Sequence, residues 1–423
     1  MNLVETYGNL IKKAAPSHPT TAFRMIKTGL YYERFRTKHL ADKNIPGAYR
    51  FLNTYAVDYV LQALRAPAKT VWTNIFAPVE ILQCFGLRCL SVECLSSFLS
   101  GFRIEDYFLD YAEEEGIAST LCSYHKNFIG ASDSGVIPPA AFSLTTSTIC
   151  DGNINTFRYL SENRGVKNFI LDIPMDNSED AITYVIEQLK ELISVLEDTF
   201  RKPFSYERLA EVIRRENESK AIYEECLTLL RNKAYPSTLT LQMYMLFATH
   251  LNIGELEILT FFKKMREELL AAPDFDGINI LWVHLLPWYQ ETLQEYFNLT
   301  KDCQIQAIEM NLDYRERLDP EDPLRSLALK MINNAYTRSY DRKVDLVCEL
   351  ADLLEPDGVI NFCHWGCKQS SGGVMRLKER MQEKDLPLLI LDGDGMDRRN
   401  SHNGQIRTRW EAFYELLLAR KGQ

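Results

Sequence analysis

The sequence lacks the features that mark several common classes of protein. Its 423 residues contain no apolar run of about 18 residues, so no segment predicts a transmembrane helix. Residues 1–13 are polar and have no secretory h-region, and we therefore expect a cytoplasmic protein. The net charge of −10 does not favour nucleic acid or an anionic membrane as a partner.

The fingerprints of several enzyme classes are absent too. There is no Gly-rich dinucleotide motif, no P-loop and no G-x-S-x-G elbow, which argues against a nucleotide site or a serine hydrolase. The segment from Asp392 to Asn403 resembles a calcium loop, but Asp397 stands where an EF-hand requires glycine, so we reject that interpretation. The charges of this loop, which continues to Arg409, either bind a substrate carbonyl or phosphate or pair with each other.

The composition is that of a globular protein, with 46% apolar and 25% charged residues. The length suffices for two or three domains with well-buried cores. Ten cysteines are present, and in a reducing cytoplasm they are expected to remain thiols. A cluster among them therefore indicates metal binding or redox chemistry in preference to disulfides.

Short apolar runs alternate with helical patterns in two parts of the chain, which predicts an α/β fold with parallel sheets. We expect an N-terminal helical region at residues 1–65, a first α/β domain at 66–178, a helical region at 179–272 and a second α/β domain at 273–423. The predicted strands are 69–74, 87–92, 117–122, 142–150, 168–173, 277–283, 303–310, 358–363 and 386–392.

Half of the cysteines lie at or just beyond the ends of predicted strands. Cys122, Cys150 and Cys363 are each the last residue of such a strand, Cys367 lies in the turn after Cys363, and Cys94 lies just beyond another strand. Ligands of open parallel sheets bind outside the carboxyl ends of the strands. A buried cysteine is usually only a small hydrophobic residue, and this interpretation suits the other five, which are Cys84, Cys89, Cys226, Cys303 and Cys348.

The spacing of the cysteines bears on the type of metal site. Zinc sites usually contain paired knuckles, and only Cys363 and Cys367 have such spacing. Thiolates dispersed over two domains better suit an iron–sulfur cluster in an interdomain cleft, although on spacing alone inert thiols remain an equal alternative. His125 and His364 adjoin candidate ligands. Their functional role would be to donate hydrogen bonds to a cluster or protons to a substrate, and the alternative is a structural role.

Four stretches together resemble one known family. They surround Cys122 (Cys-Ser-Tyr-His), Cys150 (Thr-Ile-Cys-Asp-Gly-Asn), Cys363 (Asn-Phe-Cys-His-Trp-Gly-Cys) and residues 397–413. In this order they resemble the 2-hydroxyacyl-CoA dehydratase D-component family, which includes benzoyl-CoA reductase subunits. The resemblance runs from about residue 69 to the C-terminus. It implies two Rossmann-like parallel-sheet domains with additional helices, an iron–sulfur cluster between them, and a separate ATP-dependent iron–sulfur activator that supplies low-potential electrons.

The chain departs from the family pattern at one ligand position. The resemblance implies a first cysteine four residues before a Pro-Glu helix start, and Asn74 occupies that position. Cys122 and Cys363 match the second and third ligands, whereas Cys150 and Cys367 are additional. This pattern is similar to the branch of double-cubane cluster proteins, in which a bridging sulfide joins two four-iron cubanes.

The resemblance thus implies a cofactor and its ligands. We expect Cys94, Cys122, Cys150, Cys363 and Cys367 to hold an 8Fe–9S double cubane, with Cys84 as a weak sixth candidate; the alternative is one 4Fe–4S cluster.

Three functions remain open. The first is a homodimeric iron–sulfur oxidoreductase that reduces small molecules. The second is a subunit of a heterodimeric radical 2-hydroxyacyl-CoA dehydratase (a lyase) or benzoyl-CoA reductase-like enzyme with a CoA pocket. The third is a non-catalytic electron-transfer protein.

The basic residues near the N-terminus are expected to dock the activator. They are Arg24, Lys27, Arg34, Arg36 and Lys38.

Overall fold

The strands of the chain form two parallel sheets of four strands each, as a computed structural model of the protein shows for residues 3–422. This architecture confirms the predicted α/β class with two Rossmann-like sheets. The strands are β1 (Thr70–Thr73), β2 (Arg88–Ser91), β3 (Phe142–Thr146), β4 (Asn168–Leu171), β5 (Ile278–Val283), β6 (Cys303–Ile308), β7 (Gly358–His364) and β8 (Leu388–Gly393).

Helices precede, connect and follow these strands. No helix within residues 3–422 has the length and apolarity that crossing a bilayer requires. The helices are α1 (Leu3–Ala14), α2 (Pro19–His39), α3 (Gly47–Arg65), α4 (Val79–Phe85), α5 (Val92–Gly101), α6 (Glu105–Glu114), α7 (Ser123–Asp133), α8 (Asp151–Arg164), α9 (Glu179–Phe200), α10 (Tyr206–Leu230), α11 (Leu239–Leu246), α12 (Leu256–Ala271), α13 (Glu291–Phe297), α14 (Pro323–Ile332), α15 (Tyr340–Leu354), α16 (Lys368–Ser371), α17 (Val374–Glu383) and α18 (Asn403–Lys421).

The chain divides into two compact units, and each is discontinuous in sequence. The first contains residues up to 40, 54–213 and 319–332, and the second contains 41–53, 214–318 and the residues from 333 onward. The first sheet belongs to the first unit and the second sheet to the second. The predicted boundaries at 65, 178 and 272 mark where helical segments change to alternating strands and helices, or back. The two compact units are defined instead by which segments pack together.

The two sheets share one strand order. It is β2-β1-β3-β4 in the first unit and β6-β5-β7-β8 in the second, and every pairing is parallel. In each sheet the second strand in sequence therefore lies on one side of the first strand, and the third strand lies on its other side. The resulting switch points lie between β1 and β3 and between β5 and β7, and such points are where open α/β sheets bind ligands.

The core of each unit is built on aromatic side chains that the strands and helices bury. Trp72 in β1 packs edge-on against Phe128 of α7, with ring centroids 5.1 Å apart. Trp410 of α18 lies 5.0 Å from Phe297 of α13. The buried residues of α18 are Ile406, Trp410, Phe413 and Leu417, which confirms the predicted apolar face.

The strand predicted at residues 117–122 is wrong. This segment is a largely exposed turn between α6 and α7, and Ile117 N–H bonds back to the Ala112 carbonyl of α6. Because α6 and α7 pack on each other, the segment serves as a helix–helix connection and has no place in the four-stranded sheet. Cys122 consequently begins a helix instead of ending a strand.

Candidate metal centre

Three candidate cysteines of the first unit lie at helix N-termini. Cys122 is the N-cap of α7 and Cys150 the N-cap of α8, where Cys150 Sγ accepts the Gly152 N–H at 3.2 Å. Cys94 lies in the first turn of α5, and its N–H donates to the cap, Ser91 Oγ, at 3.1 Å. The unpaired N–H groups and the dipole at a helix start favour a negatively charged thiolate.

Burial opposes this effect at Cys94. Loss of solvation raises the pKa of its thiol well above the usual range, and the neighbouring Glu93 carboxyl raises it further. Burial also raises the pKa of Glu93 to about 7. In the metal-free chain Cys94 is therefore a neutral thiol, and binding of a metal there must displace its proton.

The first predicted histidine lies beside Cys150. His125 is buried, and its Nδ1 shares a hydrogen bond of 2.9 Å with Thr156 Oγ1. A Cβ atom built on Gly152 would lie 3.0 Å from Cys150 Sγ and 3.5 Å from His125 Nε2. The imidazole and the sulfur thus border the same space, which a side chain at position 152 would fill.

The carboxyl edge of the first sheet also contains unsatisfied polar atoms. Asn74, which follows β1, donates from Nδ2 to Thr146 Oγ1 across the switch point at 3.1 Å. Buried polar atoms without a partner are uncommon in proteins and often mark a place where a ligand or water completes the bonding. The buried oxygens of this kind here are Thr73 Oγ1, Asn74 Oδ1, Thr145 Oγ1, Thr148 Oγ1 and Asn153 Oδ1.

The second unit holds its two candidate cysteines at the end of β7 and in the following turn. Cys363 is buried, and its Sγ accepts the Asn361 Nδ2–H at 3.3 Å. Burial raises the pKa of the Cys363 thiol, Asp392 raises it further, and the Asn361 hydrogen bond opposes both. Cys367 is half-buried, with its Sγ 3.3 Å from His284 Nε2. Such N–H groups on sulfur are typical around cluster-ligating thiolates.

The second predicted histidine is held as a neutral ring. His364 is buried, and its Nδ1 accepts the Gly395 N–H at 2.9 Å, so the ring proton resides on Nε2. Burial lowers the pKa of His364, and the Asp394 carboxylate 3.8 Å away opposes that shift. The proton that His364 offers to a bound group is therefore the one on Nε2.

Sequence reasoning missed His284 and the two buried charges beside it. His284 directly follows β5, as Asn74 follows β1, and this equivalence is the signal that would have found it. Its N–H donates to Glu309 Oε2 at 2.6 Å, and its Nδ1 lies 3.5 Å from Lys343 Nζ. Lys343 and Glu309 are 1% and 0% exposed and form an ion pair of 3.5 Å.

The charged loop after β8 pairs with itself and its neighbours. Arg399 Nε lies 3.0 Å from Asp397 Oδ1, and Arg409 Nη1 lies 2.9 Å from Asp392 Oδ1. Of the two alternatives for this loop, the structure supports mutual pairing of its charges.

The remaining cysteines are buried away from the switch points. Cys226 and Cys348 lie inside α10 and α15, as the sequence predicted, and burial raises the pKa of Cys226 to about 12. Cys84 lies near the end of α4, where its Sγ–H donates to the Glu80 carbonyl at 3.2 Å. The other two are Cys89 in β2 and Cys303 at the start of β6.

The thiols do not form a site for a single metal ion. Within residues 3–422, no three His, Cys, Asp or Glu side chains converge as one bound ion would require. The thiolates of an iron–sulfur cluster bind different irons, so they surround a larger group and lie farther apart than the ligands of one ion. The donor set fits such a cluster on two other grounds, namely thiols at helix starts with N–H donors on sulfur, and unpaired polar atoms beside them.

Comparison with known proteins gives the family. A sequence model of 2-hydroxyglutaryl-CoA dehydratase, D-component, matches residues 74–417. The chain belongs to the 2-hydroxyglutaryl-CoA dehydratase D-component family. It is 22% identical to the (R)-phenyllactyl-CoA dehydratase alpha subunit of Clostridium sporogenes over 91% of this chain and 98% of that subunit. It is 23% identical to lactoyl-CoA dehydratase subunit alpha of Anaerotignum propionicum, over 82% and 90%.

Proposed function

We propose that this D-component family member is an iron–sulfur oxidoreductase of the double-cubane type. In this proposal it binds an 8Fe–9S cluster through Cys94, Cys122, Cys150, Cys363 and Cys367. The cluster supplies low-potential electrons for the reduction of a small molecule. Thiols that must stay reduced suit a cytoplasmic protein.

One observation carries this proposal. Cys150 and Cys367, the two cysteines beyond the family pattern, lie at the switch points of the two sheets, where each sulfur is within 3.3 Å of a nitrogen. Inert cysteines have no reason to occupy both equivalent positions. Asn74, at the position of the expected first ligand, offers an amide in place of a thiol. In this proposal the additional cysteines, Cys150 and Cys367, replace the ligand that is missing at Asn74.

Two histidines would serve the chemistry at this centre. His125 and Cys150 border the same space at Gly152 in the first unit, and His364 carries its proton on Nε2 in the second. Both are buried, so a proton that either one transfers is shielded from exchange with bulk water. We assign them to donate hydrogen bonds to the bound group or protons to the substrate.

The experiment replaces the cysteines one at a time and measures bound iron. Cys150→Ala and Cys367→Ala, purified without oxygen, should each lose iron and cluster absorbance while the circular dichroism of the chain is kept. Cys226→Ala is the matched control, because Cys226 is buried inside α10, and it should keep its iron. Full iron in both the Cys150 and Cys367 variants would refute the double cubane.

We further propose that α2 docks an ATP-dependent activator, because the chain itself has no nucleotide fingerprint. Arg24, Lys27, Arg34 and Lys38 fall within about 80° of one another around the helix axis, since successive residues are about 100° apart. Arg36 lies on the opposite side. A basic stripe on an acidic chain would steer an acidic partner.

A second candidate is the alpha-type subunit of a radical 2-hydroxyacyl-CoA dehydratase with one 4Fe–4S cluster and a different partner subunit. The names of the two relatives and their coverage favour it. One cavity of the second unit, of about 930 Å³, does not support a CoA site. Its lining includes Asp274, Asp276 and Asp302 against Lys301, and this charge repels the phosphates of CoA.

The native mass of the purified protein separates the two candidates independently of iron. A double-cubane reductase should purify alone as a homodimer, about twice the chain mass of 48.9 kDa. A dehydratase subunit should be active only after addition of a second, different chain.

A further inference from the structure

A continuous buried network leads to Cys367 in the second unit. Glu309 accepts from the Tyr336 hydroxyl and from the His284 N–H, and it pairs with Lys343. Lys343 Nζ donates to the Gln369 carbonyl at 3.0 Å and lies 3.5 Å from His284 Nδ1. The opposite ring nitrogen, His284 Nε2, is 3.3 Å from Cys367 Sγ.

The chemistry of lysine decides which nitrogen of His284 carries the proton. A lysine ammonium has three donors and no acceptor, so the nitrogen that faces it must accept. Nδ1 of His284 is therefore unprotonated, and the single ring proton resides on Nε2. A doubly protonated ring would place two positive charges 3.5 Å apart inside the protein. Nε2–H consequently points at the sulfur.

The backbone shows that this arrangement is enforced. His284 has φ of 71°, in the left-handed region that residues other than glycine seldom adopt. Such a conformation costs free energy and persists only where the surroundings determine it. Here the His284 N–H is held by Glu309 Oε2 at 2.6 Å, so one buried carboxylate anchors both the strained backbone and Lys343.

We propose that His284 is a positioning residue that holds one N–H donor against Cys367 Sγ, in a tautomer set by Lys343. A donor on a ligating sulfur stabilises the added negative charge of a reduced cluster and so raises its reduction potential. The electronic part rests on the proposed function, because it requires Cys367 to bind the cluster. The assignment of the tautomer is independent of the proposed function.

The tautomer is measured on the full-length, metal-free chain with ¹⁵N-labelled histidine. The seven histidines give separate imidazole signals, and His284→Gln identifies the one in question. We expect an unprotonated Nδ1 and a protonated Nε2. In the double variant Lys343→Met/Glu309→Gln, which removes both charges together, the preference for this tautomer should weaken. A protonated Nδ1 in the unmodified chain overturns the proposal.

The electronic role is measured by an EPR-monitored redox titration of the iron-loaded protein. His284→Leu keeps the backbone N–H and removes the side-chain donor. We expect its reduction equilibrium to become about tenfold less favourable, equivalent to about 59 mV for one electron. His284→Gln, whose amide can donate to the sulfur, should recover part of this loss. His250→Leu is the matched control, since His250 is a buried histidine of the same unit that pairs with Asp313.

The outcomes separate the two proposals. A potential in His284→Leu equal to that of the unmodified protein overturns the electronic role even if the tautomer is as expected. An equal shift in His250→Leu overturns it too, because any lost buried imidazole would then suffice. Absence of iron from the unmodified protein refutes the proposed function, while the NMR measurement still decides whether Lys343 sets the tautomer.

Discussion

Breaking the buried pair Lys343–Glu309 is expected to destabilise the second unit strongly. The two side chains are 1% and 0% exposed, so removing the ammonium leaves a carboxylate that water cannot reach. Breaking a buried pair costs about 3–5 kcal/mol. Glu309 keeps the hydrogen bonds from Tyr336 and the His284 N–H, so we expect Lys343→Met to lose about 3 kcal/mol, near the lower end.

The assay is urea unfolding followed by tryptophan fluorescence. Of the five tryptophans, only Trp72 belongs to the first unit, so the signal reports mainly on the second. Lys343→Met should shift the midpoint without changing the slope. The double variant Lys343→Met/Glu309→Gln should recover much of the loss, because replacing a whole buried pair is often nearly neutral.

Two results would refute this reasoning. A loss below about 1 kcal/mol in Lys343→Met would mean that the pair behaves as an exposed one. A double variant no more stable than Lys343→Met would mean that the loss comes from packing of the lysine stem instead of an uncompensated charge.

Three further predictions concern single sites. Cys226→Ser should cost about 1–3 kcal/mol through a buried hydroxyl and keep all iron; loss of iron would make Cys226 a ligand. Asn74→Ala should keep the iron and lose about 1–2 kcal/mol with its hydrogen bond, and iron loss would make Asn74 a ligand. Arg24→Glu/Lys38→Glu should slow reduction by an ATP-dependent activator most at low salt, but spare reduction by a small chemical reductant. The control Arg36→Glu should have little effect, and an unaffected activator rate in the double variant would exclude this face.

Local patterns predicted the sheets because six of the eight parallel strands are short runs buried on both faces. The β5 strand, for example, is buried at all six positions and carries an unbroken apolar stretch near its end. The apolar face of α18 followed from helical spacing in the same way. The order of the strands in each sheet, and the assembly of each unit from separate segments of the chain, depend on long-range packing. No local sequence pattern encodes such packing.

The misjudged and missed features have physical causes. Residues 117–122 contain apolar side chains, but the segment is largely exposed, and the Ile117 N–H bonds back to α6 instead of to a neighbouring strand. His284 stands alone in an apolar stretch, and its importance comes from Glu309 and Lys343, which lie 25 and 59 positions away. The candidate cysteines were chosen from their residue type and from predicted strand ends, which are visible in the sequence, although Cys122 begins a helix. The hydrogen bonds on their sulfurs are not.

Quantitation of iron and acid-labile sulfide in the anaerobically purified protein tests the central claim most directly. Two cubanes joined by a sulfide give about eight irons and nine sulfides per chain, and we expect that stoichiometry. About four of each would contradict the double cubane and leave the dehydratase-type subunit. Absence of both after reconstitution with iron and sulfide would refute the assignment of these cysteines as ligands.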